Sequence, residues 1–443
     1  MAAQKDFDIA IIGGGITGVT LAIALLKHNV RVQVYEQGRA FSEIGAGVAF
    51  GPNAVRAMTA CDPAILTAFE GVATHNQWES KSKVYFDFID GMASSGETIF
   101  KLENPQGANS THRADFMEAM AKLIPPEIAH FRKRLEHIEE DPKTGRLLMK
   151  FHDGTTADAD AVIGCDGIKS RTRAIMLGEN HPSAKPQYSH KYCYRAVIPM
   201  ERAVSSIGEE RAMNACMWLG DKRHVLTFPI NRGKTFNLAA MVTDECEWPS
   251  DEHLTLPAHK EDALNDFSHF GSHVRTQLEL INEDVDKWAL FDLASNPLPT
   301  FHGGPRGRIV LLGDASHATT PHHGSGAGFG IEDSATLAAL LLDARVSLPS
   351  HLPAAFAAFD AARRARDQWL VADSRYTGEL YQWSAPAGDG DGGGVARGDW
   401  PGLERLLRES FGRIWDYDLD AALREAADDL GERLAAAGAD KKT

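Results

Sequence analysis

The chain has 443 residues, of which 43% are hydrophobic and 24% are charged, values typical of a globular protein with a large core. Its formal net charge of −15 disfavours nucleic acid or a membrane surface as a partner, because phosphate binding requires an excess of lysine and arginine. Five scattered cysteines, without metal-type spacing, predict reduced thiols, no bound metal and a cytoplasmic location. We expect no membrane span, because no apolar run reaches about 18 residues.

The chain opens on a strand, a glycine turn, a helix and a second strand: DFDIAIIGGGITGVTLAIALLKHNVRVQVYEQ. Gly13, Gly15 and Gly18 have the G-x-G-x-x-G spacing, which allows a tight turn, close approach to a pyrophosphate and close helix packing. Glu36 ends the second strand, where an acidic side chain can hydrogen-bond ribose hydroxyls. The pattern predicts a dinucleotide site that suits NAD and FAD equally. The alternative is a glycine turn in an ordinary α/β domain.

Further elements follow in chain order. We predict helices over 53–60 and 111–124, a strand within 83–102, and a hairpin of 135–139 with 147–151. AVIGCDGIKSRTR at 161–173 is again a strand entering a glycine turn. Strand-like runs without intervening helices from about 187 to 248 predict an antiparallel or mixed sheet.

The last third returns to α/β character. Residues 307–342 predict a strand, a glycine-rich loop and a helix, and 353–381 predict another helix. Residues 384–402 have the composition of a mobile loop, and 403–437 predict one amphipathic helix.

Three motifs occur together: GGGITG with Glu36, the Cys165-Asp166-Gly167 turn, and Gly313-Asp314. This combination resembles the class A, single-component FAD-dependent aromatic hydroxylases of the p-hydroxybenzoate hydroxylase superfamily. The resemblance is closest to the salicylate hydroxylases and covers nearly the whole chain, through EIGAGVAFGPNAVRA, HRADF, GCDGIKSRTR, YRAVI, HVLTFPI, GDASHATTPHHGSGAGFGIEDS and IWDYDLDAAL. Fungal polyketide monooxygenases that hydroxylate and dearomatise phenolic aldehydes are similar over the same length.

The resemblance implies an α/β fold. A discontinuous, Rossmann-like FAD-binding domain of the GR2 type is expected over 1–79, 107–182 and 300–346. An inserted, mainly antiparallel β-sheet substrate domain is expected over 80–106 and 183–299, followed by a C-terminal helical region over 347–443 with its mobile loop at 384–402.

The resemblance also implies FAD as cofactor, NADH or NADPH as cosubstrate, and dioxygen, with oxygen transfer through a flavin C4a-hydroperoxide. The ADP part of FAD is expected at the first motif, the D-G turn near flavin and nicotinamide, and the aspartate of the G-D motif on the ribitol. The predicted cofactor-binding residues are Gly13, Gly15, Gly18, Glu36, Gly47, Arg113, Asp166, Gly167, Gly313, Asp314, Gly326 and Ala327.

His322 and Arg195 are the predicted catalytic residues. Imidazole titrates near neutral pH, so His322 can deprotonate or orient a phenol, although both histidines of the loop could simply pack there. Arg195 lies in an apolar strand without an evident acidic partner, which predicts contact with a substrate carboxylate or carbonyl; the alternative is a salt bridge between domains. The predicted substrate pocket comprises Arg195, Phe228, Trp218, Leu226, Pro321 and His322.

The expected activity is hydroxylation of a small phenolic acid, first of all salicylate to catechol with decarboxylation. The alternative within the same chemistry is a phenolic aldehyde or polyketide. Phe228 and Ala108 count against dearomatisation, because they stand where such relatives place a tyrosine that holds the phenolate. An alternative of another class is a flavin-binding reductase or regulator that does not hydroxylate. The only partner expected is the aromatic substrate. The protein is expected to be a monomer or a homodimer.

Overall fold

The computed structural model describes residues 5–28, 30–41, 47–250, 253–385, 395 and 397–440. The predicted mobile loop lies mostly outside this part of the chain. The strands of the described residues are β1 (Asp8–Ile12), β2 (Arg31–Glu36), β3 (Gly47–Ala49), β4 (Thr74–His75), β5 (Val84–Asp90), β6 (Thr98–Glu103), β7 (Asn109–His112), β8 (Ala129–Phe131), β9 (Leu135–Glu140), β10 (Leu147–Phe151), β11 (Thr156–Ala159), β12 (Ala161–Gly164), β13 (Gln187–Pro199), β14 (Cys216–Gly220), β15 (Arg223–Ile230), β16 (Thr235–Thr243), β17 (Thr255–His259), β18 (Asp284–Asp292), β19 (His302–Gly303) and β20 (Ile309–Leu311).

The α-helices of the same residues are α1 (Ile16–Leu26), α2 (Pro52–Cys61), α3 (Pro63–Glu70), α4 (Arg113–Ala121), α5 (Arg171–Leu177), α6 (Met200–Ile207), α7 (Glu209–Ala212), α8 (Lys260–Asp266), α9 (Ser272–Leu278), α10 (Asp314–His317), α11 (Gly326–Leu342), α12 (Leu352–Tyr381), α13 (Trp400–Trp415) and α14 (Leu419–Asp440). None of the helices described is both long and apolar enough to cross a bilayer.

The first sheet, within the described residues, has the order β19-β20-β12-β1-β2-β8. It is parallel except where β19 meets β20. Its neighbour α1 is buried along nearly its whole length, because it lies between this sheet and α11. A helix that is apolar all round is the form expected in such a layer. The carboxyl ends of β1 and β12 therefore open beside the N-terminus of α1, where ligands bind in open α/β sheets.

The second sheet has the order β17-β18-β13-β16-β15-β14-β5-β6 over the described residues and is antiparallel except where β14 meets β5. One face packs on α6, α8 and α9. These two sheets and the C-terminal helices confirm the predicted fold class. The exact domain boundaries stay a prediction.

Four element predictions differ from the structure. The predicted helix over 111–124 begins only at Arg113, because Asn109–His112 pairs as β7 with β3 and β4. The stretch 187–248 does contain helices, α6 and α7, between β13 and β14. The predicted helix over 403–437 is two helices, α13 and α14, which are separated at Asp416. Trp400 already belongs to α13, within the range predicted as a loop.

Candidate functional site

The glycine turn after β1 has the geometry that its spacing predicts. Gly13 has φ +107°, and a Cβ there would lie 2.2 Å from the carbonyl oxygen of Cys165. A Cβ on Gly18 would lie 2.1 Å from the carbonyl oxygen of Gly13, so α1 approaches β1 as closely as its backbone allows. Gly15 precedes the first turn of α1 in extended conformation. The backbone N–H groups at this end of the helix form a natural anion site.

Glu36 closes one side of this turn. Its carboxylate accepts hydrogen bonds from the backbone N–H groups of Gly14, at 2.7 Å, and Gly38, at 2.6 Å. A carboxylate has about four lone-pair sites. Glu36 can therefore hold the turn and still accept from ribose hydroxyls.

Two cavities meet at the turn. The first, of about 730 Å³, is lined by Gly13, Gly15, Glu36, Asp166 and Gly167, and also by the basic residues Lys133, Arg134, Lys169 and Arg171. The second, of about 380 Å³, is lined by Gly15, Gly47, Arg113, Gly167, Arg195, Leu226, Phe228, Asp314, Pro321, His322, Gly326 and Ala327. Gly15, Cys165 and Gly167 line both, so the two form one continuous cleft. The first cavity, which has basic side chains and the N-terminus of α1 beside the acids Glu36, Glu136 and Asp166, suits the phosphates and ribose of a dinucleotide. The second cavity suits its ring system.

The Asp166 carboxylate stays within its own loop. It accepts hydrogen bonds from the hydroxyl of Ser170, at 2.5 Å, and from the backbone N–H of Thr172, at 2.8 Å, at the start of α5. Gly167 has φ +75°, and no atom lies within 4 Å of the position of a Cβ there. The D-G motif thus presents glycine backbone to the cleft, while its acid shapes the turn.

The G-D motif forms a second turn at the other side of the cleft. Gly313 has φ +59°, and a Cβ there would lie 2.6 Å from Oγ1 of Thr17 on α1. Asp314, the next residue, is exposed and lines the second cavity together with Arg113 at the start of α4. Burial lowers the pKa of Arg113, while the charge of Asp314 opposes that shift. Arg113 and Asp314 therefore bring opposite charges to this wall.

Arg195 projects from β13 into the second cavity. Its guanidinium carbon lies 5.6 Å from the ring centroid of Trp288 on β18, a cation–π contact. Among the residues described, nothing hydrogen-bonds to its buried Nε. Arg113 and Arg195 lie close enough for the charge of Arg195 to contribute to the lowered pKa of Arg113. The cavity thus has two guanidinium groups and suits an anion.

Leu226 and Phe228 on β15 form the apolar wall. A Cβ on Gly47 would lie 2.4 Å from Cε2 of Phe228, and the N–H of Gly47 donates to Oδ1 of Asn237 at 3.3 Å. Strand β3 therefore meets the second sheet at glycine, where a larger residue would displace the Phe228 ring.

Trp218 does not line this cavity, so its assignment to the pocket is wrong. It pairs with Val225 across β14 and β15, whereas Leu226 pairs with Met217. Side chains alternate between the faces of a sheet, and directly paired residues share a face. Trp218 accordingly points to the opposite face, where it stacks on His273 at a centroid distance of 6.1 Å.

His322 follows Pro321 in a short 3₁₀ turn and lines the second cavity. Thr320 Oγ1 lies 2.9 Å from its Nδ1, and within the described chain nothing hydrogen-bonds to its Nε2. Burial and the nearby His224 and Lys191 lower the pKa of His322 well below its ordinary value. The imidazole is therefore neutral at physiological pH, and in the tautomer whose Nδ1–H donates to Thr320 Oγ1 the buried Nε2 is an acceptor.

Arg173 is a site residue that motif spacing alone does not reveal. It is fully buried, and burial lowers its pKa to about 10. Its guanidinium donates to the carbonyl oxygens of Ile168 at 2.6 Å, Ala315 at 2.9 Å and Asp314 at 3.3 Å. Arg173 thus fastens the D-G turn to the G-D turn. Its place in GCDGIKSRTR was the available signal, but its partners Asp314 and Ala315 lie about 140 residues away.

The chain is similar to known proteins over most of its length. Residues 6–346 match the family model described as FAD binding domain. The chain is 44% identical over 444 residues to the FAD-dependent monooxygenase pigN of Monascus ruber, covering 97% of this chain and 98% of that protein. It is 40% identical over 434 residues to the 6-methylsalicylate 1-monooxygenase atA of Aspergillus terreus, covering 96% and 93%. A solved salicylate hydroxylase substrate complex has 34% identity and a TM-score of 0.82, covering 96% of this chain and 98% of that one.

A glycine turn at the carboxyl ends of a parallel sheet, joined by a cleft to an antiparallel sheet, is the architecture of a dinucleotide-binding protein. The matching FAD-binding family model identifies the dinucleotide as FAD. The chain belongs to the class A FAD-dependent aromatic hydroxylases and is an FAD-dependent monooxygenase of the salicylate hydroxylase type. FAD as cofactor, with NAD(P)H and dioxygen as cosubstrates, follows from this membership. The glycine positions where no Cβ fits, and the basic side chains of the first cavity, suit FAD.

Proposed function

We propose that this monooxygenase hydroxylates a small phenolic acid of the salicylate class, with salicylate to catechol and CO₂ as the first candidate. The observation that carries the proposal is one cavity that combines the guanidinium of Arg195 with the neutral imidazole of His322. The similarity of this chain to a salicylate hydroxylase and to a 6-methylsalicylate 1-monooxygenase supports it.

The proposed roles follow from charge and hydrogen-bonding capacity. Arg195 binds the substrate carboxylate through charge-assisted hydrogen bonds. The phenol hydroxyl donates to Nε2 of His322, whose Nδ1 is held by Thr320. The hydrogen bond to the neutral His322 orients the phenol hydroxyl, and Phe228 with Leu226 keeps water from the aromatic ring.

Bound FAD, reduced by NADH or NADPH, supplies the activation of dioxygen. Arg113 and Asp314, with the backbone of Gly326 and Ala327, are proposed to hold the flavin against the second cavity. The overall reaction balances as salicylate⁻ + NADH + O₂ + 2 H⁺ giving catechol + CO₂ + NAD⁺ + H₂O. One oxygen atom enters the ring and the other leaves as water.

The test is to mix the FAD-loaded protein with NADH, oxygen and salicylate, and to follow NADH oxidation together with product chromatography. Catechol formed in step with NADH consumed is the expected result. Peroxide without catechol would contradict salicylate as substrate and favour a phenolic aldehyde or polyketide. A failure of every phenol to stimulate NADH oxidation would favour the reductase or regulator. Repeating the assay with NADPH shows which cosubstrate the enzyme prefers. Repeating it with 6-methylsalicylate shows how a methyl group on the ring changes the rate.

The domain boundaries, a monomeric or homodimeric state and a cytoplasmic location stay proposals of the same kind. They rest on the sequence patterns given above.

A further inference from the structure

A fully buried arginine lies outside the cleft at the centre of a cluster of charged side chains. Arg363 on α12 donates through Nη1 to Glu332 at 2.7 Å, through Nε to Asp333 at 2.8 Å and through Nη2 to Asp367 at 2.6 Å. All four side chains are completely buried. We call Arg363, Glu332, Asp333, Asp367 and the adjoining His317 the Arg363 cluster.

Asp333 connects this cluster to the G-D turn. Its Oδ2 accepts from the backbone N–H of Gly313 at 2.9 Å and lies 2.7 Å from Nε2 of His317. Gly313 directly precedes Asp314, which faces the second cavity. The Asp333 carboxylate therefore binds the start of the turn through Oδ2 and binds Arg363 through Oδ1.

The charges of the cluster depend on one another. Burial would lower the pKa of His317, but Asp333 and Asp367 raise it to about 9, so His317 is charged at neutral pH. Burial raises the pKa of Asp367 to about 8, whereas the charges of His317 and Arg363 keep that of Asp333 low. His317, Asp333 and Asp367 place ligand atoms within 4.8 Å of one another, as a small metal site would, but here the guanidinium of Arg363 supplies the positive charge.

The Arg363 cluster requires a guanidinium because of the shape of this group. It offers five donors in a fixed planar fork, whereas an ammonium is a single point charge. A lysine at 363 has its three donors on one nitrogen atom, so it cannot reproduce the spacing of Nε, Nη1 and Nη2, which contact three separate carboxyl groups. A buried carboxylate that loses its partner is strongly destabilised, so Asp333 would adopt another hydrogen-bonding arrangement.

We propose that Arg363 is a positioning residue for FAD, which acts through Asp333 to hold the Gly313–Asp314 turn in its binding conformation. Helix α12 then completes the FAD site, although it lies beyond residues 6–346, the stretch that matches the FAD-binding family model. The inference rests on FAD binding and is independent of which phenol the enzyme hydroxylates.

The test compares Arg363→Lys and Asp333→Asn with a matched control, Arg366→Lys. Arg366 lies on the same helix and bonds Glu332, at 2.9 Å, but does not contact Asp333. Each apoprotein is titrated with FAD by flavin fluorescence, and its Tm is measured without FAD. We expect the Kd for FAD to rise about tenfold in both test variants and less than about threefold in the control.

A double variant separates positioning from a general loss of stability. If Arg363 acts through Asp333, Arg363→Lys combined with Asp333→Asn should raise Kd no further than either change alone. Asp367→Asn, which alters the cluster away from the turn, should lower the apoprotein Tm and leave Kd within about threefold of wild type. The proposal is overturned if Kd follows Tm across all variants, or if both test variants bind FAD as the control does.

Discussion

Gly378 on α12 lies directly against the imidazole of His322. A Cβ on Gly378 would lie 2.6 Å from Cε1, 2.7 Å from Nε2 and 2.8 Å from Nδ1 of that ring. Carbon atoms do not approach ring atoms so closely, so the ring orientation depends on glycine at this position. The backbone of α12 at Gly378 thus helps to orient the ring that is proposed to accept the hydrogen bond of the phenol.

We therefore predict that Gly378→Ala displaces His322 and slows hydroxylation about tenfold or more, while FAD affinity stays at the wild-type value. Steady-state kinetics and FAD titration measure the two effects. Gly412→Ala on α13 is the matched control, since its nearest neighbour, Oδ2 of Asp416, would lie 3.6 Å away. Wild-type turnover in Gly378→Ala would contradict a role of the His322 ring orientation.

Arg195 should act on substrate and not on flavin. Arg195→Ala removes a charged donor, worth about 1.5–3 kcal/mol, which corresponds to roughly a 10- to 150-fold rise in KM for a carboxylate substrate. Arg195→Lys keeps the positive charge and should therefore raise KM less than Arg195→Ala does. The control is Lys287→Ala, since Lys287 lies beside Trp288 in sequence but contacts the Tyr192 ring, at 4.9 Å, outside the cavity. An unchanged KM in Arg195→Ala would exclude carboxylate binding by this residue.

Short sequence patterns were sufficient to predict the elements whose conformation is determined by residues close together in the chain. The glycine turn at Gly13 follows from a positive φ and a close backbone contact, which only glycine allows. The hairpin of β9 and β10 follows from alternation and a turn between the strands. Both were predictable because neighbours in sequence determine them.

The remaining features depend on contacts between distant parts of the chain. The face of Trp218 is decided by strand register, and a shift of one residue reverses it. Asn109–His112 forms a strand instead of a helix start because β3, about 60 residues earlier, pairs with it. The Arg363 cluster joins residues of α10, α11 and α12. The basic residues Arg363, Arg364 and Arg366 favour a solvated or interface helix face in the sequence, which is wrong for Arg363 because its side chain is fully buried.

Arg173 provides a prediction of stability. Arg173→Lys cannot keep the donors to Ile168, Asp314 and Ala315, so buried carbonyl groups lose their partners. At roughly 1.5–3 kcal/mol for a hydrogen bond from a charged group, we expect the free energy of unfolding to fall by about 3 kcal/mol or more. Urea unfolding of the apoprotein measures it, with the exposed Arg405→Lys as control. Equal unfolding midpoints for Arg173→Lys and wild type would contradict the role of this guanidinium.

His317 makes the stability of the apoprotein depend on pH with a definite sign. Its pKa is about 9 in the folded state, against about 6.5 in an unfolded chain. A pKa raised by folding contributes stability that is fully present below about pH 6.5 and is lost as the pH rises through about 9. Wild type should therefore exceed His317→Gln in Tm most at pH 6, and this difference should shrink steadily toward pH 9. The control is His273→Gln, on the face of the second sheet that bears Trp218. If the Tm difference between wild type and His317→Gln is constant over this pH range, the His317 imidazole is not charged in the folded protein.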